Sequence, residues 1–137
     1  MTRRLENKVA IVTGGGSGIG EAICKKFARE GAAVVVVGLD DDPVREVVDE
    51  ILAEGGRAIG YLADISHQEA AEACVKTAVK EFGKLDILIN NAGVFPATST
   101  LDKYPVDAFE YMVKNNIYSA FMMSRAALPE LQKTRGN

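Results

Sequence analysis

The stretch Val9-Ala10-Ile11-Val12-Thr13-Gly14-Gly15-Gly16-Ser17-Gly18-Ile19-Gly20 decides the fold. A run that is apolar on successive residues predicts a strand buried on both faces, as in a parallel sheet. A glycine-rich turn follows at once, and then helical periodicity begins. A strand that turns through glycines straight into a helix N-terminus is built to receive a phosphate. The first-turn amides and the positive end of the helix favour the anion, and the missing side chains let it approach closely.

The same pattern repeats outward along the chain. Val34-Val35-Val36-Val37, Ala58 to Leu62 and Leu85 to Ile89 are further strand candidates. Their starts recur at intervals of about 25 residues, the length of a strand, a helix and two short loops. Ile19, Ile23 and Phe27 mark one face of the first helix, which Gly31 stops. Asp42 is the expected N-cap of the second, with Pro43 at its first position and Val44, Val47, Val48, Ile51 and Leu52 as its inner face. Ser66-His67-Gln68-Glu69 has the spacing of a capping box before a third helix that buries Cys74, Ala78 and Phe82. A loop from Val94 to Tyr104 leads to a long helix over Val106 to Gln132. Its apolar stripe reads Val106, Phe109, Val113, Ile117, Ala120, Phe121, Ser124, Leu128 and Leu131, and Pro129 is expected to bend or break it. This rhythm predicts an α/β fold, a Rossmann-type doubly wound parallel sheet of about four strands with flanking helices.

Composition narrows the function. The 137 residues are 47% apolar and 26% charged, enough for a single domain with a core. A net charge of −3 offers no basic field for nucleic acid. No apolar run reaches membrane-spanning length and no signal peptide is visible, so a cytoplasmic protein with no membrane partner is expected. Cys24 and Cys74 read as buried small hydrophobes, and no cluster suggests a metal. His67 reads as a surface residue.

Counting within the glycine loop excludes two nucleotide motifs. Glu21 stands after Gly20 where a Walker A loop needs Lys, and Ile19 breaks the G-x-G-x-x-G spacing from Gly14. The spacing that fits is G-x-x-x-G-x-G on Gly14, Gly18 and Gly20. A second motif, Asn90-Asn91-Ala92-Gly93, ends the fourth strand, at the edge where open α/β sheets present their ligands. Together with Asp64-Ile65 after the third strand, and with Asn116, Phe121 and Ser124 to Pro129 in the long helix, these motifs resemble the classical short-chain dehydrogenase/reductase family over essentially the whole chain.

That resemblance implies an NAD(P)-dependent oxidoreductase acting on a small-molecule alcohol or ketone, with residues 1–137 as the N-terminal portion of an NAD(P)-binding Rossmann domain. Gly14, Gly18 and Gly20 would line the pyrophosphate turn, with Ser17 and Ile19 supplying amides. Asp64 and the Ile65 amide would hold adenine, and Asn91, Ala92 and Gly93 would border the adenine ribose. Thr13 and Asn91 read equally as residues that tie strands together. Asn116 would be the catalytic Asn supporting a water and proton relay, or else a satisfied amide in the core. The ribose-binding acid of NAD-preferring members would fall on Gly38, and the basic residue of NADP-preferring members on Leu39 or Ser17. Neither pattern is met. Leu39 and Asp40 are the candidates at this position, and the run Asp40-Asp41-Asp42 favours NAD over NADP, because carboxylates repel a 2′-phosphate; the same run reads equally as a solvated N-terminal turn of the second helix. A homo-oligomer is expected.

The family's general acid/base is a Tyr-x-x-x-Lys pair, the Lys lowering the Tyr pKa. Tyr61, Tyr104, Tyr111 and Tyr118 are followed at the fourth position by Ile65, Ala108, Asn115 and Met122. The pair would therefore lie beyond Asn137, the chain would be a truncated one, and these residues alone are expected to be inactive. Lys114 is assigned no catalytic role. Two other readings stand beside this one. One is a non-catalytic dinucleotide- or partner-binding protein. The other is a different Rossmann enzyme such as a methyltransferase, which Asn90 to Gly93 disfavours.

Overall fold

A computed structural model describes residues 2–96 and 98–137. Four parallel strands, β1 (Val9–Thr13), β2 (Ala33–Gly38), β3 (Arg57–Leu62) and β4 (Ile87–Ile89), lie in the order β3-β2-β1-β4. Helices α1 (Gly18–Arg29), α2 (Val44–Ala53) and α3 (Gln68–Phe82) connect them. After β4 come a 3-10 turn at Leu101–Lys103 and then α4 (Val106–Met112). A π-helical stretch, Val113–Tyr118, joins α4 without a break to α5 (Ser119–Thr134). This is the doubly wound Rossmann-type sheet that the strand rhythm predicts.

β1 and β2 are buried on both faces, as their continuous apolar runs require, whereas β3 is partly exposed and β4 half-buried. Val34 and Val36 pack with Val12 against Cys24 and Ala28 of α1 and Val44, Val47 and Ile51 of α2. Val35 and Val37 point the other way, with Val9 and Ile11, onto Cys74 and Ala78 of α3 and Met123 and Ala127 of α5. Burial pushes both thiols up to about 12, so Cys24 and Cys74 are inert core residues.

The chain runs outward from β1 through β2 to β3, then crosses back to place β4 on the other side of β1. Strand order reverses between β1 and β4. Connections above those two strands therefore diverge and leave a crevice at their carboxyl ends.

Five local expectations are corrected. β4 is only three residues long; before it the Asp86 amide donates to the Val9 carbonyl and the Asp86 carboxylate accepts the Val9 amide, each at 2.9 Å, while the Leu85 carbonyl accepts the Thr134 hydroxyl at 2.8 Å. Ser66 makes no capping box; its hydroxyl donates to Asp64 Oδ1 at 2.6 Å, and His67 stands at the helix N-cap. Asp42 does not cap α2 with its side chain, since its Oδ2 accepts the Leu39 amide at 2.7 Å. Pro129 does not break α5, which runs through it. Arg125 and Pro129 both lie at exposed positions of the helix. The buried face of α5 is Ser119, Met123 and Ala127, whereas Ile117, Phe121 and Leu128 of the expected stripe are 58%, 58% and 54% exposed.

Candidate functional site

The crevice at the switch point is a cleft of about 340 Å³, within the size range of small-molecule and cofactor pockets. Its floor is the glycine loop. The backbone of Gly20 lies so close to Gly14 that a Cβ on Gly20 would collide with the Gly14 carbonyl oxygen. Gly18 adopts φ +55°, a left-handed conformation that other residues pay to enter, and nothing lies within 4 Å of where its side chain would be. Ser17 stands at the N-cap of α1 and makes no side-chain cap. The first-turn amides of α1 thus have no side-chain cap, and Ser17 and Ile19 of this turn line the cleft. Ile19, 74% exposed, forms an apolar rim there.

One wall is held by a clasp between the ends of β1 and β4. The buried Thr13 hydroxyl accepts the Asn91 and Ala92 amides at 3.0 and 2.9 Å and donates to the Ile89 carbonyl at 3.3 Å. The Asn91 side-chain amide donates to the carbonyls of Thr13 and Gly14, both at 3.2 Å. Thr13 and Asn91 thus tie the strands together, and Asn91 lines the cleft as well, beside Ala92 and Gly93.

The opposite wall is the loop after β3, where Asp64 and Ile65 line the cleft. Asp64 Oδ1 accepts the Ser66 hydroxyl and amide, and Oδ2 lies 3.3 Å from Lys114 Nζ and 3.4 Å from His67 Nε2. Burial by itself pushes this carboxyl up. The Ser66 bonds and the Lys114 ammonium outweigh it, and the net effect lowers the pKa. His67, exposed as expected, therefore has Asp64 as a partner, and Lys114 is tied to the cleft wall.

The Asn116 amide is engaged at both ends: its Oδ1 accepts the Val94 amide at 2.6 Å and its Nδ2 donates to the Val94 carbonyl at 2.9 Å. It is a satisfied amide, though at an exposed position rather than in the core. It pins the loop that continues Gly93.

This sequence matches the short chain dehydrogenase family over residues 8–137. The chain belongs to that family. The oxidoreductase YxbG of Bacillus subtilis is 35% identical over 134 residues, 98% of this chain and 49% of that protein. The 7alpha-hydroxysteroid dehydrogenase of Escherichia coli is 39% identical over 133 residues, 97% of this chain and 51% of that protein. A solved short chain dehydrogenase from Burkholderia cenocepacia, in complex with NADP, is 40% identical and superposes with a TM-score of 0.86, covering 93% of this chain and 52% of that one. The chain spans about half the length of the curated relatives it matches.

In this short chain dehydrogenase chain most of the residues expected at the cofactor meet around one cleft. Gly14, Ser17 and Ile19 form its floor and rim, Leu39 lies at the end of β2, and Asp64, Ile65, Asn91, Ala92 and Gly93 form its walls. Gly18 and Gly20 shape the loop without lining the cleft, Asn116 stands behind Val94, and Asp40 is exposed outside it. Asp42, which sequence reading weighed only within the run Asp40-Asp41-Asp42, lines the cleft, as do Ala63, Asn115 and Ser119, which it did not name as site residues. Asn115 and Ser119 had a signal: they are one helical turn apart beside Asn116, and the Ser119 hydroxyl donates to the Asn115 carbonyl at 2.5 Å. Among the described residues no helix is long and apolar enough to cross a membrane.

Proposed function

We propose that these residues form the cofactor-binding half of an NAD(P)-dependent oxidoreductase that moves a hydride between the nicotinamide and the carbinol or carbonyl carbon of a small alcohol or ketone. The observation that carries this is the cleft at the β1/β4 switch point, floored by glycines and open to the first turn of α1. The pyrophosphate would rest on the amides of Ser17 to Gly20, where the end of the helix stabilises its charge. Asp64 and the Ile65 amide would take the adenine, and Asn91 to Gly93 the neighbouring ribose. The nicotinamide, once bound, supplies the hydride chemistry. The chain supplies binding, orientation and a dry wall.

Asn116 would act here by fixing Val94 and so the end of the cleft. Any part it takes in a proton relay would require one end of its amide to leave Val94. With no Tyr-x-x-x-Lys among the 137 residues, this stretch alone should bind cofactor without turnover. Positioned acid/base groups typically contribute about 10²–10⁴-fold. NAD is the preferred cofactor on this reading, because Ser17 and Leu39 are not basic and carboxylates stand nearby. A soluble, cytoplasmic homo-oligomer is the setting that the reading implies.

Equilibrium titration with NADH, followed by its own fluorescence, tests the proposal. Saturable binding displaced by ADP-ribose is expected, with no reduction of ketones. Absence of binding contradicts the cofactor site. Steady ketone reduction that Asn116→Ala abolishes contradicts the assignment of the acid/base chemistry to other residues.

A further inference from the structure

We propose that Asn115 reads the base of the cofactor: its Oδ1 accepts one N–H of the adenine amino group while Asp64 Oδ2 accepts the other. This deepens the proposed function and rests on it. Asn115 and Asp64 line the same cleft from two segments of the chain, the long helix and the loop after β3. Lys114, the residue before Asn115, brings its Nζ to 3.3 Å from Asp64 Oδ2, so the π-helical stretch and that loop meet at this end of the cleft. Adjacent residues of the stretch have different tasks. Asn116 holds Val94 through both ends of its amide, and Asn115 is left to the cleft.

The hydrogen bonds already made decide what this end of the cleft can take. Asn115 Nδ2 donates to the Tyr111 carbonyl at 2.9 Å, which fixes the orientation of the amide and leaves Oδ1 as the group on offer. The hydrogen bonds that the Asp64 carboxylate accepts, from the Ser66 hydroxyl and amide, both go to Oδ1. Among the described residues neither Asn115 Oδ1 nor Asp64 Oδ2 accepts a hydrogen bond, and the amide of the buried Ile65 has no acceptor. Such a set calls for a ligand edge that carries two donor hydrogens beside an acceptor. Adenine has that edge in its amino group and the ring nitrogen next to it. Hypoxanthine carries a carbonyl oxygen and a ring N–H in those places. It would set acceptor against acceptor and donor against donor.

Asn115→Leu tests this, because leucine suits a helix and accepts no hydrogen bond. Asn115→Asp keeps an acceptor in the same place. Dissociation constants for NADH and for reduced nicotinamide hypoxanthine dinucleotide are measured on all three proteins. The unsubstituted protein is expected to bind NADH tighter by about tenfold or more. Asn115→Leu should weaken NADH about three- to tenfold and leave the hypoxanthine dinucleotide within about twofold. Asn115→Asp should keep the ratio within about twofold, since its charge acts on both nucleotides alike. A ratio that Asn115→Leu leaves unchanged, whether both nucleotides still bind or both are lost alike, overturns the role of Asn115 while the cofactor site stands. A ratio that Asn115→Asp lowers as far as Asn115→Leu does overturns it as well. Failure of the unsubstituted protein to bind either nucleotide overturns the cofactor site and Asn115 with it.

Discussion

Gly18 and Gly20 stand two residues apart in one loop, yet a methyl group on each meets different surroundings. On Gly20 it would run into the Gly14 carbonyl, and backbone cannot step aside as a flexible side chain can. On Gly18 it would enter open space and face only the left-handed backbone, φ +55°. Gly18→Ala should therefore cost about 1–2 kcal/mol, and Gly20→Ala more than about 3 kcal/mol. Urea unfolding of both variants checks the order, and equal losses would contradict the close approach of loop and helix. Asp64 offers a pH test at the same scale. Its folded pKa lies below the ordinary 3.8, because Ser66 and Lys114 outweigh burial. The stability it contributes is thus complete above about 3.8 and is lost as pH falls through the lower folded value. Asp64→Asn should flatten the acid limb of a plot of melting temperature against pH. An unchanged limb would mean that the Ser66 and Lys114 contacts do not outweigh burial in solution.

At the scale of the element, the clasp between β1 and β4 makes the clearest claim. Thr13→Val leaves the part-buried Ala92 amide without a partner and the Asn91 amide and Ile89 carbonyl with only each other, an expected loss of about 1–3 kcal/mol. Thr13→Ser keeps the hydroxyl and should lose about 1 kcal/mol with the methyl group. Equal effects in chemical denaturation would show that the methyl, not the hydrogen bonds, matters. The strands and the inner faces of α1 to α3 were legible because burial on both sides of a parallel sheet leaves long runs such as Val34 to Val37. Caps were not. Ser66 and Asp42 can bond a helix amide or another group within reach, and which one wins depends on where the chain puts Asp64 and Leu39. The π-helical stretch similarly shifts the phase of the long helix, so its stripe could not be carried from Val106 to Leu131 on one period. The glycine turn and Asn90 to Gly93 announced the cleft, since few other needs put such residues at strand ends. Asp42 was placed by a turn whose register the run of three Asp residues does not disclose.

For the molecule as a whole, one edge of the sheet and one helical surface remain open. β4 has β1 as its strand neighbour. On its far side Asn137 donates its amide to the Asp86 carbonyl and its own carbonyl accepts the Leu88 amide, each at 2.9 Å, so that edge is covered over its first residues. Gly136 passes so close to Asp86 that a Cβ would strike its carbonyl oxygen. Ile117, Phe121 and Leu128 stay on the outer surface of the long helix. Exposed apolar patches of this kind mark contact surfaces. The 137-residue chain should self-associate at tens of micromolar, and Phe121→Asp should shift sedimentation towards the monomer. A monodisperse, sharply unfolding monomer would show that this surface tolerates water.

The central claim is that the cleft between β1 and β4 receives a nicotinamide dinucleotide, and hydrogen–deuterium exchange with and without NADH tests it most directly, whatever the state of association. Protection is predicted in peptides covering residues 13–20, 38–42, 63–66 and 91–94, with α2 and the outer turns of α3 unchanged. Unaltered exchange in all four segments, or protection centred elsewhere on the molecule, would contradict it.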